Sequence, residues 1–235
     1  MIVRLRFRKF GKIRFIGHRD VARIFERSLR AAGIPVAYSE GFSPRPKLAF
    51  GLALSVGYES DNEYIDVVLS ERLELDDVVV RLAAALPAGL DLIEVGEAER
   101  SRTSLMESVT SCDWDITLST ADIDTVRASV DALLAADRVI INRERKGKPV
   151  QDDIRPDLLS VKVLMNPETA TCRIHAELGT ESRSLRPAEF LAAIDPPVDA
   201  TRIRRAHQWI SHGTTRTEPH EAVVERAAHP ERVAS

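Results

Sequence analysis

The stretch "GKIRFIGHRD", residues 11–20, sets Lys12, Arg14, Arg19, His18 and Asp20 close together. Those residue types allow three chemistries: a general acid or base at His18, a phosphate grip through Arg14 and Arg19, or a helix start at which Asp20 meets the positive end of the dipole. Just upstream, Arg4, Arg6 and Arg8 recur at every second position. On a strand they share one face about 7 Å apart, a spacing that lets guanidinium groups meet successive phosphates, or else they form an ordinary solvated face. Downstream lies "SEGFSPRPKLAF", residues 39–50, in which Gly41, Pro44 and Pro46 stiffen a loop that presents Phe42 beside Arg45 and Lys47. A ring next to cations suits RNA, whose unstacked bases lie on aromatics while its phosphates meet arginine; the alternative is a turn whose Phe42 plugs the core. "KPVQDDIRP" adds Lys148, Asp152, Asp153 and Arg155, either a ligand motif or a surface ion-pair cluster.

The elements that must hold these residues follow from periodicity. Residues 2–8 alternate strictly, with Val3, Leu5 and Phe7 on one side of a strand and the three arginines on the other. After a turn at Gly11 and a short extended piece, residues 19–32 become helical. Arg19, Arg23, Arg27 and Arg30 then form a stripe opposite the apolar face, with Glu26 inside the stripe as a local partner, until Gly33 and Pro35 stop the helix. "PKLAFGLALSVG" and "EYIDVVLSE" read as strands, "LDDVVVRLAAAL" as a second helix and "GLDLIEV" as a fourth strand. The order strand, helix, strand, strand, helix, strand is that of a ferredoxin-like sandwich with both helices on one face of an antiparallel sheet.

A similar order follows a polar connection. "CDWDITLS", a helix over "ADIDTVRASVDALLAAD", the strands "RVIINRE", "LLSVKVLM" and "TCRIHAEL", and a closing helix "RPAEFLAAI" give a second half. The expected class is therefore α+β with two ferredoxin-like (βαββαβ) halves. A basic N-terminal domain is expected over 1–97, a connection over 98–111, a second α+β domain over 112–212, and a polar, Pro-punctuated, disordered tail over 213–235.

Charge divides along the same line. Residues 1–50 carry 12 Lys and Arg against 3 Asp and Glu, a balance of +9 that leaves the remainder at −12 within a net −3. An acidic partner for the first half, nucleic acid foremost, is the natural expectation. No apolar run is long enough to span a bilayer and the N-terminus alternates instead of forming a signal core, so the expected setting is cytoplasmic, away from membranes. Cys112 and Cys172 stand 60 positions apart and make no metal or redox pair in the sequence. No cofactor and no metal are expected.

The triplet "HRD" matches the catalytic triplet of protein kinases, but Phe25 stands where that motif needs its magnesium-holding Asn, and no glycine-rich loop precedes it. Taken together, "GKIRFIGHRDVARIFERSLRAAGIP", "YSEGFSPRPKLAFGLAL", "DIRP" and "SLRPAEFLAAI" resemble a bacterial family known as radical S-adenosylmethionine-linked proteins. The resemblance covers roughly residues 1–210, and its pattern falls on Gly11, Arg14, Phe15, His18, Asp20, Arg23, Arg27, Gly41, Phe42, Pro44, Pro46, Asp153, Arg155 and Pro156. Ser43 departs from it, since the commoner form of the loop has Asn there. The resemblance implies a separately encoded radical S-adenosylmethionine enzyme as partner. Radical chemistry uses an iron–sulfur cluster commonly held by three closely spaced cysteines, which this chain lacks, so any radical step belongs to that partner.

The leading expectation is an RNA-binding accessory module for tRNA or rRNA modification. Arg4, Arg6, Arg8, Arg14, Arg19, Arg23, Arg45 and Lys47 would serve phosphates, and Phe42 and His18 would serve bases. A metal-independent RNA endonuclease of paired ferredoxin-like architecture, with His18 as acid or base, is one alternative. A pure protein-docking module is the other.

Overall fold

The computed structural model describes residues 1–119, 122–145, 147–166, 171–181 and 184–229. It has an α+β fold with five α-helices and twelve strands among the described residues, divided into two compact units. One unit holds Met1–Val109 together with the chain from Trp209 onward; the other holds Thr110–Gln208. No helix among the described residues is long and apolar enough to cross a membrane.

The N-terminal unit begins with β1 (Ile2–Lys9), whose residues alternate between partly and fully buried as its sequence alternates between charged and apolar. Val3, Leu5 and Phe7 turn toward α1 (His18–Ala31) and α2 (Leu75–Ala85). There Phe7 meets Phe25 of α1 with ring centroids 4.7 Å apart. Val21, Phe25 and Leu29 recur on the inner face of α1, and each such side chain contributes about 1.5–3 kcal/mol on burial. β1 lies between β3 (Glu59–Val68) and β4 (Leu90–Ala98), antiparallel to both, and the short β2 (Leu48–Phe50) pairs with the outer side of β3. The order β4-β1-β3-β2 thus follows from an element order βαββαβ.

Three departures from the sequence reading matter here. The piece after Gly11 is a 3-10 turn, Gly11–Phe15, instead of extended chain, and it is held from inside: the Lys9 ammonium, buried on the apolar side of β1, donates to the carbonyls of Arg14 and Ile16 at 3.4 and 3.1 Å. The strand expected over residues 46–57 shrinks to three residues, and the chain beyond Phe50 runs through a turn at Gly57, with a φ of 88°, before β3 begins. The expected disordered tail is folded over its described part. After Trp209 the chain makes a hairpin between Ile210–His212 and β11 (Thr215–Thr217), a 3-10 turn at Pro219–Glu221, and β12 (Glu225–Ala228), which adds to the free edge of β4. Residues 230–235 of that expected tail lie outside the described residues.

In the other unit, β5 (Ser111–Leu118) pairs with β9 (Thr171–Gly179), which pairs with β8 (Leu158–Asn166). After the single-turn α3 (Leu105–Ser108) of the N-terminal unit, α4 (Ile123–Ala135) buries Val126 and Val130, and the short α5 (Pro187–Leu191) buries Phe190 and Leu191. Two strands are missing from the sequence reading. β7 (Lys148–Asp153) forms a separate small sheet as a hairpin with β6 (Ile140–Arg145), and β10 (Ala200–His212) was hidden by its arginines, one of which, Arg205, is buried over Trp114. With the β6–β7 hairpin set aside, the unit has the βαββαβ order, and β10 is its last strand.

Candidate nucleic-acid interface

Strand alternation puts Arg4, Arg6 and Arg8 on the side of the sheet away from the helices, but that side is not open. Arg4 grips Asp66 of β3 with two hydrogen bonds of 2.7 and 2.8 Å and donates a third to the Pro219 carbonyl; its side chain is 11% exposed. Arg6 donates to Asn62 at 2.5 Å, faces Glu94 at 3.7 Å and touches His220, while Arg8 stands 3.8 Å from Asp61. The expected phosphate-meeting face is thus neutralised by carboxylates of neighbouring strands and roofed by the Pro219–Glu221 turn. His220 completes this roof. Its ring stacks on Tyr64, whose hydroxyl approaches Nδ1 at 3.1 Å. Burial pushes the His220 pKa below its ordinary value and the Arg6 charge pushes it further, against the opposing pull of Glu218, Glu94 and Glu221. Burial likewise raises Tyr64 well above the ordinary phenol range, with Glu218 adding to the effect.

The helix side is different. Glycine at position 17 gives α1 no side-chain cap, and Asp20 in the first turn is taken up by Arg23 at 3.0 Å. His18 sets its ring edge-on to Phe50 at 4.8 Å while remaining exposed to solvent. Arg14 pairs with Glu59 at 3.2 Å and lies over the ring of Phe15, itself largely exposed. Arg19, Arg27 and Arg30 are exposed on α1, and their side chains meet no partner among the described residues. Because Val3, Leu5 and Phe7 lie between them, the arginines of β1 and those of α1 are on opposite sides of the sheet and cannot form one grip.

The loop over residues 39–47 is built as a projecting hairpin. Its ends are joined by backbone bonds from Ser39 to Arg45 and from Lys47 to Ala37, and the Ser39 hydroxyl accepts from the Arg45 amide at 3.0 Å. Gly41 has a φ of 117°, a conformation that β-carbon-bearing residues avoid, and Pro44 and Pro46 fix the descending arm. Phe42 is exposed in full at the tip, so the core-plug alternative does not hold. Arg45 and Lys47 are exposed too, and their side chains meet no partner among the described residues.

The motif in the other unit falls apart into separate tasks. Asp153 accepts from the Val139 and Arg155 amides and pairs with Arg138, and the two backbone bonds lead in holding its carboxyl below the ordinary range. Arg155 donates to the Leu134 carbonyl near the end of α4 and to that of Leu158. Lys148 stands at the far end of β7, opposite Arg145, and shares nothing with them. Asp152 is bonded to Arg143.

What sequence reasoning missed is Asp115. It collects Arg204 at 2.7 Å, His175 at 3.2 Å and Arg173 at 3.4 Å. Burial would raise its pKa, but the bonds from Arg204 and His175 and the charges of Arg204 and Arg173 outweigh burial and keep it low. Its three partners lie 58 or more positions away, so no local spacing announces the cluster.

Comparison with known proteins adds the following. The model of a family described as "Uncharacterized protein conserved in bacteria (DUF2344)" matches residues 3–187. No curated protein matches the chain. Among solved structures, the chain is similar to one described as "Crystal Structure of a Cbf5-Nop10-Gar1 Complex", at 7% identity and a TM-score of 0.48, over 88% of this chain and 48% of that one. The chain thus spans about half the length of the structure it matches.

Proposed function

The chain belongs to that bacterial family, and from this premise we propose that it is an RNA-binding accessory module whose N-terminal unit holds tRNA or rRNA for a separate modifying enzyme. The observation that carries the reading is Phe42, fully exposed at the tip of a stiffened loop whose descending arm carries two exposed cations, Arg45 and Lys47, with side chains that meet no partner among the described residues. Burying a phenylalanine is worth about 1.5–3 kcal/mol, so a rigid loop that keeps one in water is arranged to bury it against something else. A base offers a flat apolar surface, and the phosphates beside it match Arg45 and Lys47. Arg19, Arg23 and Arg27 on α1 add longer-range attraction, of which Arg23 is partly spent on Asp20.

The enzyme served is a radical S-adenosylmethionine enzyme on a separate chain, as the family resemblance of the loop and the 11–20 stretch implies. Cys112 and Cys172, the two cysteines of this chain, are both buried in the C-terminal unit. Recurrence of one strand order in the N-terminal unit and, with the β6–β7 hairpin set aside, in the other supports reading both as ferredoxin-like sandwiches.

Titration of tRNA and rRNA fragments into the pure protein over a salt series tests the reading. Affinity should fall steeply with salt and should drop in Arg45→Glu and Lys47→Glu. Absence of binding at low salt would discard it in favour of protein docking.

A further inference from the structure

A cleft of about 730 Å³ opens on the arginine side of the N-terminal unit, apart from the Phe42 tip. Its walls come from β1, β2, β3, the stretch Glu99–Ser108 and the hairpin after Trp209, all within one compact unit. We propose that this cleft binds a phosphorylated small molecule of about nucleotide size. The phosphate meets Lys47, Arg100 and the hydroxyl of Thr103, and the body of the ligand rests on the apolar lining.

Charge accounting singles out an anion. Arg4 and Asp66 both line the cleft, but their bidentate pair neutralises them and fixes that wall. Lys47 and Arg100 remain, both exposed and with side chains meeting no partner among the described residues. Glu99 is the one further carboxylate of the lining, so two unspent cations face a single unspent anion. A compact ammonium and a forked guanidinium are the pair that phosphate recognition uses, one as a point charge and the other through paired donors.

The hydroxyl donors point the same way. The stretch Ser101–Ser104 places three hydroxyls on one wall. Ser101 accepts from the Thr103 amide and Ser104 is occupied with Glu107, which leaves the Thr103 hydroxyl to a ligand. Leu48, Val68, Leu105 and Ile210 also line the cleft, an apolar surface that inorganic phosphate would leave bare. A volume within the range of about 300–1,000 Å³ typical of small-molecule sites, with few polar groups gathered over apolar lining, suits an organic phosphate.

Lys47 is shared with the RNA surface proposed above, so Arg100 and Thr103, which belong to the cleft alone, carry the test. The full chain is titrated calorimetrically with AMP, ribose 5-phosphate and pyrophosphate, and with adenosine as the phosphate-free control. At least one of the two organic phosphates should bind more tightly than pyrophosphate, and adenosine should not bind. Arg100→Ala should weaken the bound probe about tenfold, the usual scale for one hydrogen bond to a charged group, and Thr103→Val should weaken it less. Both side chains are exposed, so these variants keep the fold. Phe42→Ala should leave phosphate binding unchanged while reducing RNA binding, which separates the two proposals. Failure of both organic phosphates to bind at millimolar concentration, or binding indifferent to both Arg100→Ala and Thr103→Val, overturns the inference.

Discussion

Two sets of arginines in the first 30 residues, three at every second position of β1 and four at helical spacing on α1, end in opposite circumstances. Those of β1 are spent: Asp66, Asn62, Glu94 and Asp61 meet them from neighbouring strands, and the Pro219–Glu221 turn lies over them. Those of α1 and the loop behind it face water, and Arg19, Arg27, Arg30 and Arg45 have side chains without partners among the described residues. Density of positive charge along a sequence therefore does not locate a binding surface. The proposed surfaces rest instead on charge left over after the fold has paired its own, and that remainder lies on the helix side, on the Phe42 loop and in the cleft behind Lys47.

The sharpest way to break this comparison is to remove an arginine from the spent set. Arg4→Ala leaves Asp66, 17% exposed, without its bidentate partner, and breaking a pair so far buried should cost about 3 kcal/mol of unfolding free energy in urea. RNA affinity, corrected for the folded fraction, should stay where it was. A variant of unchanged stability that loses RNA would place β1 back in the interface.

The opposite result is expected at the loop. Phe42→Ala removes one stacking platform, worth about 1–3 kcal/mol, and should cut RNA affinity about tenfold without altering the urea midpoint. On α1, Arg19→Glu should have a milder effect of about two- to threefold, since an exposed helix cation acts through a screened field. Filter binding of one tRNA preparation across the variants ranks them. An Arg19 effect larger than that of Phe42 would move the centre of the interface onto the helix.

The order in which these facts became visible has a physical reason. Alternation in "IVRLRFR" and the helical stripe of 19–32 are local patterns, so β1, α1 and α2 could be read within a residue or two of their observed ends. The stiffened loop over 39–47 was legible for the same reason, because Gly41, Pro44 and Pro46 act on their own backbone, but whether Phe42 faces water or plugs the core is decided only by the fold that places it. The fate of Arg4 was not legible, since it turns on Asp66, 62 positions on, and Pro219, 215 positions on. Nor was the folded tail: "EPHEAVVERAA" has the composition of a disordered segment, and its order comes from four residues pairing with the edge of β4 and from Val223 packing on Gly96, where a β-carbon would stand 2.6 Å away. Lys9 shows the limit within a single strand. It lies one residue past the alternation read over 2–8, and the carbonyls of Arg14 and Ile16 are among the partners that let an ammonium be buried there.

The roof over β1 offers the finest test of the comparison, because it should respond to pH where the loop does not. His220 has its pKa depressed, first by burial and then by Arg6, so the folded state disfavours the imidazolium relative to the unfolded chain. A base with a depressed folded pKa contributes stability that is present above its ordinary value of 6.5 and is lost as pH falls from there through the folded value. Acidification from about pH 8 to about pH 5.5, across the ordinary histidine range, should therefore loosen the segment 213–229. Amide exchange in β12 and near Tyr64 should speed up, and His220→Gln should flatten that response. The loop over 39–47 holds no histidine, and its exchange should follow only the intrinsic pH dependence of amides. If β12 exchange is indifferent to His220, the roof is held by the Arg4–Pro219 bond and β-pairing alone, and the arginine strand is closed at every pH at which the protein folds.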